Sequence, residues 1–212
     1  MSPGPGLARL SLETFSERLS ERAPTPGGGS VAACLVALGS ALTAMAFRFS
    51  TGPKYAAVEA EMVRRAGALD AIRARALELV DLDSAAYDAV TAAFALPKGT
   101  DEEKLQRRAA VQAGLLRALE VPLSTMESSL AALRIASEGS ADVNRNLASD
   151  LATGSWCLWS AAEAAALNVR INASSLEDRE LARARLAVCD RLQREAANLA
   201  ESARSLAARH LS

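Results

Sequence analysis

A chain of 212 residues is long enough to form one domain with a continuous hydrophobic core. Half of its residues are hydrophobic but only 4% are aromatic, and alanine recurs throughout, which favours closely packed helices over a β-sandwich. The net charge is −1 and the basic and acidic residues are interleaved, which argues against nucleic acid as a partner. The composition therefore predicts a single all-α domain over residues 1–212.

The first residues contain neither a basic segment nor an apolar one, so they do not resemble a secretory signal. The three cysteines lie far apart without CxxC spacing, and neither a zinc site nor a disulfide framework is indicated. We therefore expect a cytoplasmic protein. Residues 1–10 are predicted to be a flexible tail, and a short amphipathic helix is predicted from Ser11, its N-cap, to about Arg22.

Residues 23–30 contain two prolines and three consecutive glycines and therefore cannot lie inside a helix. Ser30 is expected to cap an apolar helix that runs to about Ser50. Its uncharged part, residues 31–47, is shorter than the roughly 20 apolar residues that a bilayer requires, so we expect no membrane span. Its many small residues instead predict a buried helix at the centre of a bundle.

After Gly52 and Pro53, apolar residues recur at intervals of three and four from Lys54 to about Ala95. One unbroken helix of that length would span about 60 Å. Helices this long often belong to dimers, so we predict an elongated bundle of long antiparallel helices that forms a homodimer.

The second half of the chain is predicted to contain three more helical segments. Residues 96–100 form a turn in which Thr100 caps the next helix, and Pro122 is expected to kink or restart that helix before it ends near Ser137. A polar connector over residues 138–144 precedes a helix over residues 146–166, and residues 168–172 interrupt its periodicity. The last helix is expected to begin at a cap formed by Ser174 or Ser175.

The single histidine, His210, lies three residues from the end of the chain, so an interior histidine cannot be the catalyst. Proton transfer would then depend on carboxylates or other groups, with no metal site and no cofactor. Asp83 interrupts an apolar stripe on the long helix and should point inward, where burial would raise the pKa of its carboxyl. Both a general base and a structural Asp, at a wet subunit seam or bonded to a neighbouring helix end, fit this position.

Other polar residues allow both a functional and a structural interpretation. Asn144, Asn146 and Asp150 fit a binding cluster but are more typical of a capped helix start, and Asn168 and Asn172 are first interpreted as turn residues. The glycine segment before the second helix offers backbone N–H groups to an anion, although a flexible connector explains it equally well. Two lysines in turns could steer an anion or simply be solvated, namely Lys54 and Lys98.

Taken together, six segments of the chain resemble one family, the formiminotetrahydrofolate cyclodeaminase/methenyltetrahydrofolate cyclohydrolase family. They are Ala23–Ala33 with its PTPGGGS sequence, Val80–Tyr87, Leu96–Thr100, Val121–Leu123, Asn144–Asp150 and Asn168–Asn172. The resemblance implies an all-helical dimer that binds a reduced folate in a cleft and either closes a formimino group with loss of ammonia or hydrolyses a methenyl bridge.

By position in the family's motifs, the resemblance also implies roles for individual residues. Asp83 and Asp150 would be the catalytic carboxylates, with Asp83 as base or electrostatic stabiliser. The substrate would be bound by Pro26, Gly27, Gly28, Gly29, Ser30, Lys54, Lys98, Asn144, Asn146, Asn168 and Asn172. The alternative is a catalytically silent helical dimer that binds folate or a protein partner.

Overall fold

The computed structural model describes residues 6–211, apart from the side chains of residue 204 and residues 206–211. It contains helices and no strand in these residues, which confirms the predicted all-α class. The six α-helices are α1 (Leu12–Ser20), α2 (Gly28–Arg48), α3 (Glu59–Phe94), α4 (Asp101–Gly139), α5 (Ala148–Ser175) and α6 (Arg179–Leu211). Short 3-10 turns cover Leu7–Arg9, Pro53–Tyr55, Ser140–Asp142 and Arg145–Leu147.

Two predicted helix starts are confirmed by their hydrogen bonds. Ser11 caps α1, because its Oγ accepts a bond of 3.1 Å from the backbone N–H of Thr14. Thr100 caps α4 in a reciprocal arrangement: its Oγ1 accepts from the N–H of Glu103 at 3.2 Å, and Glu103 Oε2 accepts from the N–H of Thr100 at 2.9 Å. Each cap satisfies N–H groups that lack a partner inside the helix.

The predicted cap at Ser30 and the predicted turn at residues 168–172 are wrong, and Pro122 does not restart its helix. Ser30 is not an N-cap, since α2 already begins at Gly28 and the Ser30 hydroxyl donates to α3 instead. Pro122 is buried inside α4, which continues through it over 39 residues, so packing against neighbouring helices outweighs the lost backbone bond. Residues 168–172 are not a turn but belong to α5, where the Asn168 amide donates to the carbonyl oxygen of Ala164, one turn earlier.

The two ends of the chain also differ from the sequence-based expectation. Residues 7–9 of the expected tail form a 3-10 turn, and the Leu7 N–H donates to Asp81 Oδ1 on α3 at 2.6 Å. The cap of α6 is Asp178 rather than Ser174 or Ser175, because Asp178 Oδ1 accepts from the N–H of Leu181 at 2.9 Å. Ser174 instead donates its hydroxyl back to the preceding turn of α5.

Helix α2 packs between α3 and α5, and α4 contacts both α3 and α5. Helix α2 runs antiparallel to α3, since Ser30 contacts Asp83 at one end and Arg48 contacts Asp70 at the other. The backbones of α2 and α5 approach each other closely, since a Cβ on Gly39 would lie 2.7 Å from the carbonyl oxygen of Gly154. By length and hydropathy α2 could also cross a bilayer, but 61% of its most apolar window is buried in the bundle.

Candidate active site

A cavity of about 300 Å³ opens where α2 begins, at one end of the bundle. The loop before α2 forms one wall, and α3, α4 and α5 form the others. Its lining contains the two motifs that the sequence singled out most clearly, the glycine segment and the inward carboxylate. The lining residues are Pro24, Thr25, Gly27, Gly28, Gly29, Asp83, Tyr87, Val90, Leu115, Ala118, Asn168, Ile171 and Asn172.

Asp83 is held against the first turn of α2. Its Oδ2 accepts a hydrogen bond of 2.9 Å from the Ser30 hydroxyl, and the backbone N–H of Ser30 also donates to the carboxylate. The positive end of the α2 dipole adds to this attraction. A Cβ on Gly29 would lie only 2.0 Å from Asp83 Oδ1, so the α2 backbone can approach the carboxylate this closely only at a glycine.

Burial raises the pKa of the Asp83 carboxyl above its ordinary value. The two hydrogen bonds from Ser30 act in the opposite direction, but the loss of hydration outweighs them. A carboxyl in this environment exchanges its proton closer to neutral pH than a solvated Asp does, which suits a general base.

The two asparagines of α5 line the cavity beside the glycine segment, since a Cβ on Gly28 would lie 3.7 Å from Asn168 Nδ2. Asn172 donates its amide to the carbonyl oxygen of Ala118 on α4 at 2.7 Å, and Asn168 donates to Ala164 at 3.0 Å. Neither side-chain oxygen has a partner among the described residues. Each oxygen is therefore free to accept a hydrogen bond at the cavity lining, while the bond made by the amide nitrogen orients the side chain.

Asn144, Asn146 and Asp150, which were predicted to belong to the site, do not line this cavity. Asn144 Oδ1 accepts from the N–H of Asn146 at 3.1 Å, and the N–H of Asn144 donates to Ser50 Oγ, just beyond the C-terminal end of α2. Asp150 is 18 residues before Asn168 on α5, a distance of about 27 Å. Within one chain these residues therefore lie at the opposite end of the bundle from Asp83.

Neither lysine that the resemblance implied for substrate binding lies at this cavity. Lys54 precedes α3, in which Asp83 is 24 residues from the first residue, about 36 Å along the axis. Lys98 is exposed in the turn between α3 and α4 and lines no part of the cavity. The α4 wall, formed by Leu115 and Ala118, has no signal in the sequence, because nothing in the local pattern marks which neighbouring helix covers a site.

The described residues contain no group of three or more His, Cys, Asp or Glu side chains arranged to hold a metal ion. The cavity itself offers one half-buried carboxylate, backbone and amide dipoles, and an apolar wall. Tyr87, one turn beyond Asp83 on α3, adds a phenol to the rim of the cavity.

The chain matches the family model described as formiminotransferase-cyclodeaminase over residues 11–191. It belongs to this family. A methenyltetrahydrofolate cyclohydrolase of Methylorubrum extorquens is 36% identical over 192 residues, which cover 90% of this chain and 92% of that protein. The match confirms the family that the sequence motifs indicated.

Two further relatives show how the family is organised. A formimidoyltransferase-cyclodeaminase of Rattus norvegicus is 34% identical over 83% of this chain, which spans only 33% of the rat protein. The crystal structure of a formiminotetrahydrofolate cyclodeaminase from Thermotoga maritima superimposes with a TM-score of 0.84 at 26% identity, over 93% of this chain and 96% of that one. This family fold is therefore found both as a chain of this length and as about a third of a longer protein.

Proposed function

We propose that this protein hydrolyses 5,10-methenyltetrahydrofolate to 10-formyltetrahydrofolate. The observation that carries the proposal is the Asp83 carboxylate, half-buried against the start of α2 with a raised pKa. The relative named as a cyclohydrolase, which matches nearly the full length of both chains, favours hydrolysis over the other reaction of the family.

In the hydrolysis, water adds to the cationic carbon that bridges the two folate nitrogens. Asp83 takes a proton from the attacking water, and a tetrahedral intermediate forms. The bond from this carbon to one nitrogen then breaks, with Asp83 returning the proton to that nitrogen, and one proton is released to solvent overall. The negative carboxylate also stabilises the cationic bridge before the attack.

The second candidate is the cyclodeaminase reaction, which the similarity to the Thermotoga maritima enzyme favours. Here a folate nitrogen attacks the carbon of the protonated formimino group, Asp83 carries the proton of that nitrogen to the departing amino group, and the bond from the carbon to this group breaks to release ammonia. The two reactions differ in whether water or a folate nitrogen attacks, so access of water to the cavity selects between them.

The test follows the absorbance of the methenyl chromophore with purified protein, after subtraction of the spontaneous reaction. We expect the chromophore of added methenyltetrahydrofolate to decay. Its appearance from formiminotetrahydrofolate together with ammonia would identify the deaminase instead. A folded protein that changes neither substrate would refute both and favour the catalytically silent binder.

We also propose that the protein is a homodimer paired through the outer face of α2. This helix is buried against α3, α4 and α5 on its other sides, but Leu38 is 60% exposed and Phe49 is 61% exposed. Half-buried apolar residues join them at intervals of three and four, namely Leu35, Leu42 and Met45. A second copy would remove this apolar strip from water.

A two-fold pairing of this kind also explains the separation of the predicted residues. Leu38 is at the midpoint of α2, so two antiparallel copies of α2 crossing there would place the end of one helix beside the start of the other. Asp150 and Asn144 of one protomer would then approach the Asp83 cavity of its partner. The catalytic role implied for Asp150 by the resemblance is compatible with the fold only through such a partner.

The substitution Leu38→Glu is expected to convert the dimer to monomers, because it would bury four carboxylate oxygens from two copies at the centre of the interface. Light scattering after gel filtration measures the mass. The matched control is Leu105→Glu on α4. Leu105 is 68% exposed, and this variant should remain dimeric. A monomeric wild-type protein, or a dimeric Leu38→Glu variant, would contradict the proposal.

A further inference from the structure

A second cavity, of about 500 Å³, begins where the Asp83 cavity ends. Leu115 lines both cavities. On each of the three helices the lining moves one turn along, from Val90 to Phe94 on α3, from Leu115 to Val111 on α4, and from Asn172 to Ser175 on α5. The two cavities therefore form one groove that leads from the carboxylate to the end of the bundle.

The outer end of this groove is basic. Arg107 and Arg108 line it together with Gln112 and Glu177. Arg107 is 11 residues from Ala118 in the inner cavity, which is about 16 Å along α4. The groove thus separates a carboxylate at its inner end from two guanidinium groups at its outer end.

Arg107 is prepared to bind an anion. Its guanidinium lies over the Phe94 ring, 5.5 Å from the centroid, and its Nε donates to the Phe94 carbonyl oxygen at 3.1 Å. These two contacts fix the plane of the guanidinium, while its two terminal nitrogens have no partner among the described residues. A fixed guanidinium with two free donors matches the two oxygens of a carboxylate.

Arg108 differs because it is already paired. Its Nε and Nη2 both bond the carboxylate of Glu177, the Nη2 contact being 2.7 Å. Both side chains are exposed, so this ion pair contributes little to stability and can be exchanged for another anion at low cost. An incoming carboxylate would compete with Glu177 for Arg108 while it binds Arg107 directly.

We propose that Arg107, assisted by Arg108, binds the glutamate carboxylates of the folate substrate. This inference rests on the proposed function, because a tetrahydrofolate carries its reacting carbon near the pterin and its carboxylates at the far end of an extended linker. With the reacting carbon at Asp83, the linker follows the apolar wall of Leu115 and Val111, and the tail reaches the arginines. Arg107 and Arg108 line this groove, whereas Lys54 and Lys98, the substrate-binding lysines implied by the resemblance, do not.

The test uses p-aminobenzoyl-triglutamate, a fragment that has the tail but no pterin, titrated calorimetrically against wild type and Arg107→Gln. We expect about tenfold weaker binding in the variant, the usual effect of losing one charged hydrogen-bond pair. The variant should also raise KM for the triglutamate substrate and leave kcat unchanged. Glu177→Gln is expected to tighten binding, since it releases Arg108.

The matched control is Arg134→Gln, which removes an exposed arginine that also pairs between helices, with Glu195 on α6. It should bind the fragment like wild type. Equal binding by Arg107→Gln and wild type, no binding by wild type, or weakening by Lys54→Gln instead would each overturn the assignment. Fragment binding is measured without turnover, so a protein that binds the fragment but converts no folate would refute the proposed function alone.

Discussion

Asp83→Asn is expected to lower kcat by about 10²- to 10⁴-fold, the usual contribution of a positioned general base. The amide retains the shape of the carboxylate and can still accept a hydrogen bond from Ser30, but it cannot take up a proton or stabilise a cationic carbon. Steady-state assays with methenyltetrahydrofolate measure the effect. Turnover near the wild-type value would remove Asp83 from the mechanism.

The pH dependence of the wild-type enzyme independently tests the role of Asp83 as the base. Burial raises the pKa of Asp83 in the free enzyme, and the ionised form is the base, so kcat/KM should rise with pH through an acid limb that lies above the ordinary pKa of an Asp. Asp83→Asn should lose this limb together with most of the activity. An acid limb that persists unchanged in the variant would have to arise from another group.

Thermal unfolding shows whether Asp83→Asn is folded. Whether its unfolding temperature lies above or below that of wild type follows from the pKa of Asp83. Between the unfolded pKa and the higher folded pKa the folded state binds more protons, so the stability of wild type falls as pH rises through this window. Above the window the cost of burying the charge is fully present. Asp83→Asn has no such cost and should unfold at a higher temperature than wild type at pH 8, with a smaller difference near pH 4.

The sequence predicts those features of the fold that depend on local chemistry. The reciprocal cap at Thr100 is visible as a Thr three residues before a Glu, and the inward direction of Asp83 follows from the apolar residues around it on one helix. Local chemistry misleads where packing decides the outcome. Pro122 would end an isolated helix, and the small polar residues of segment 168–172 are typical of a turn, yet both lie in helices whose other faces are buried.

In the candidate site, too, features set by local chemistry were predicted and features set by helix packing were not. The glycine segment, Asp83 and the two asparagines of α5 were found from the sequence and line one cavity. The distance of about 27 Å between Asp150 and Asn168 is already implied in large part by the predicted helix over residues 146–166, which places several turns between the two residues. The role of Arg107 has no local signal at all, because it depends on which helices enclose the outer groove.

Gly29→Ala is expected to damage the site as severely as a change in Asp83 itself. The new Cβ would lie 2.0 Å from Asp83 Oδ1 and 2.5 Å from Cγ, so the carboxylate must leave its position or the start of α2 must move. We expect kcat to fall by about 10²-fold, because misplacing a catalytic group by an ångström has an effect of this size. The clash should also lower the free energy of unfolding by about 1–3 kcal/mol.

The control for this prediction is Gly67→Ala on α3, where the added Cβ would have no atom within 4 Å other than its chain neighbours and the adjacent backbone of its own helix. Alanine should there stabilise the helix by roughly 0.5–1 kcal/mol and leave turnover unchanged. A double-mutant cycle with Asp83→Ala identifies the cause of the damage: if the contact with the carboxylate is responsible, Gly29→Ala will destabilise the Asp83→Ala protein much less than wild type. Equal destabilisation in both backgrounds would place the requirement for glycine in the backbone of α2 rather than in the approach to Asp83.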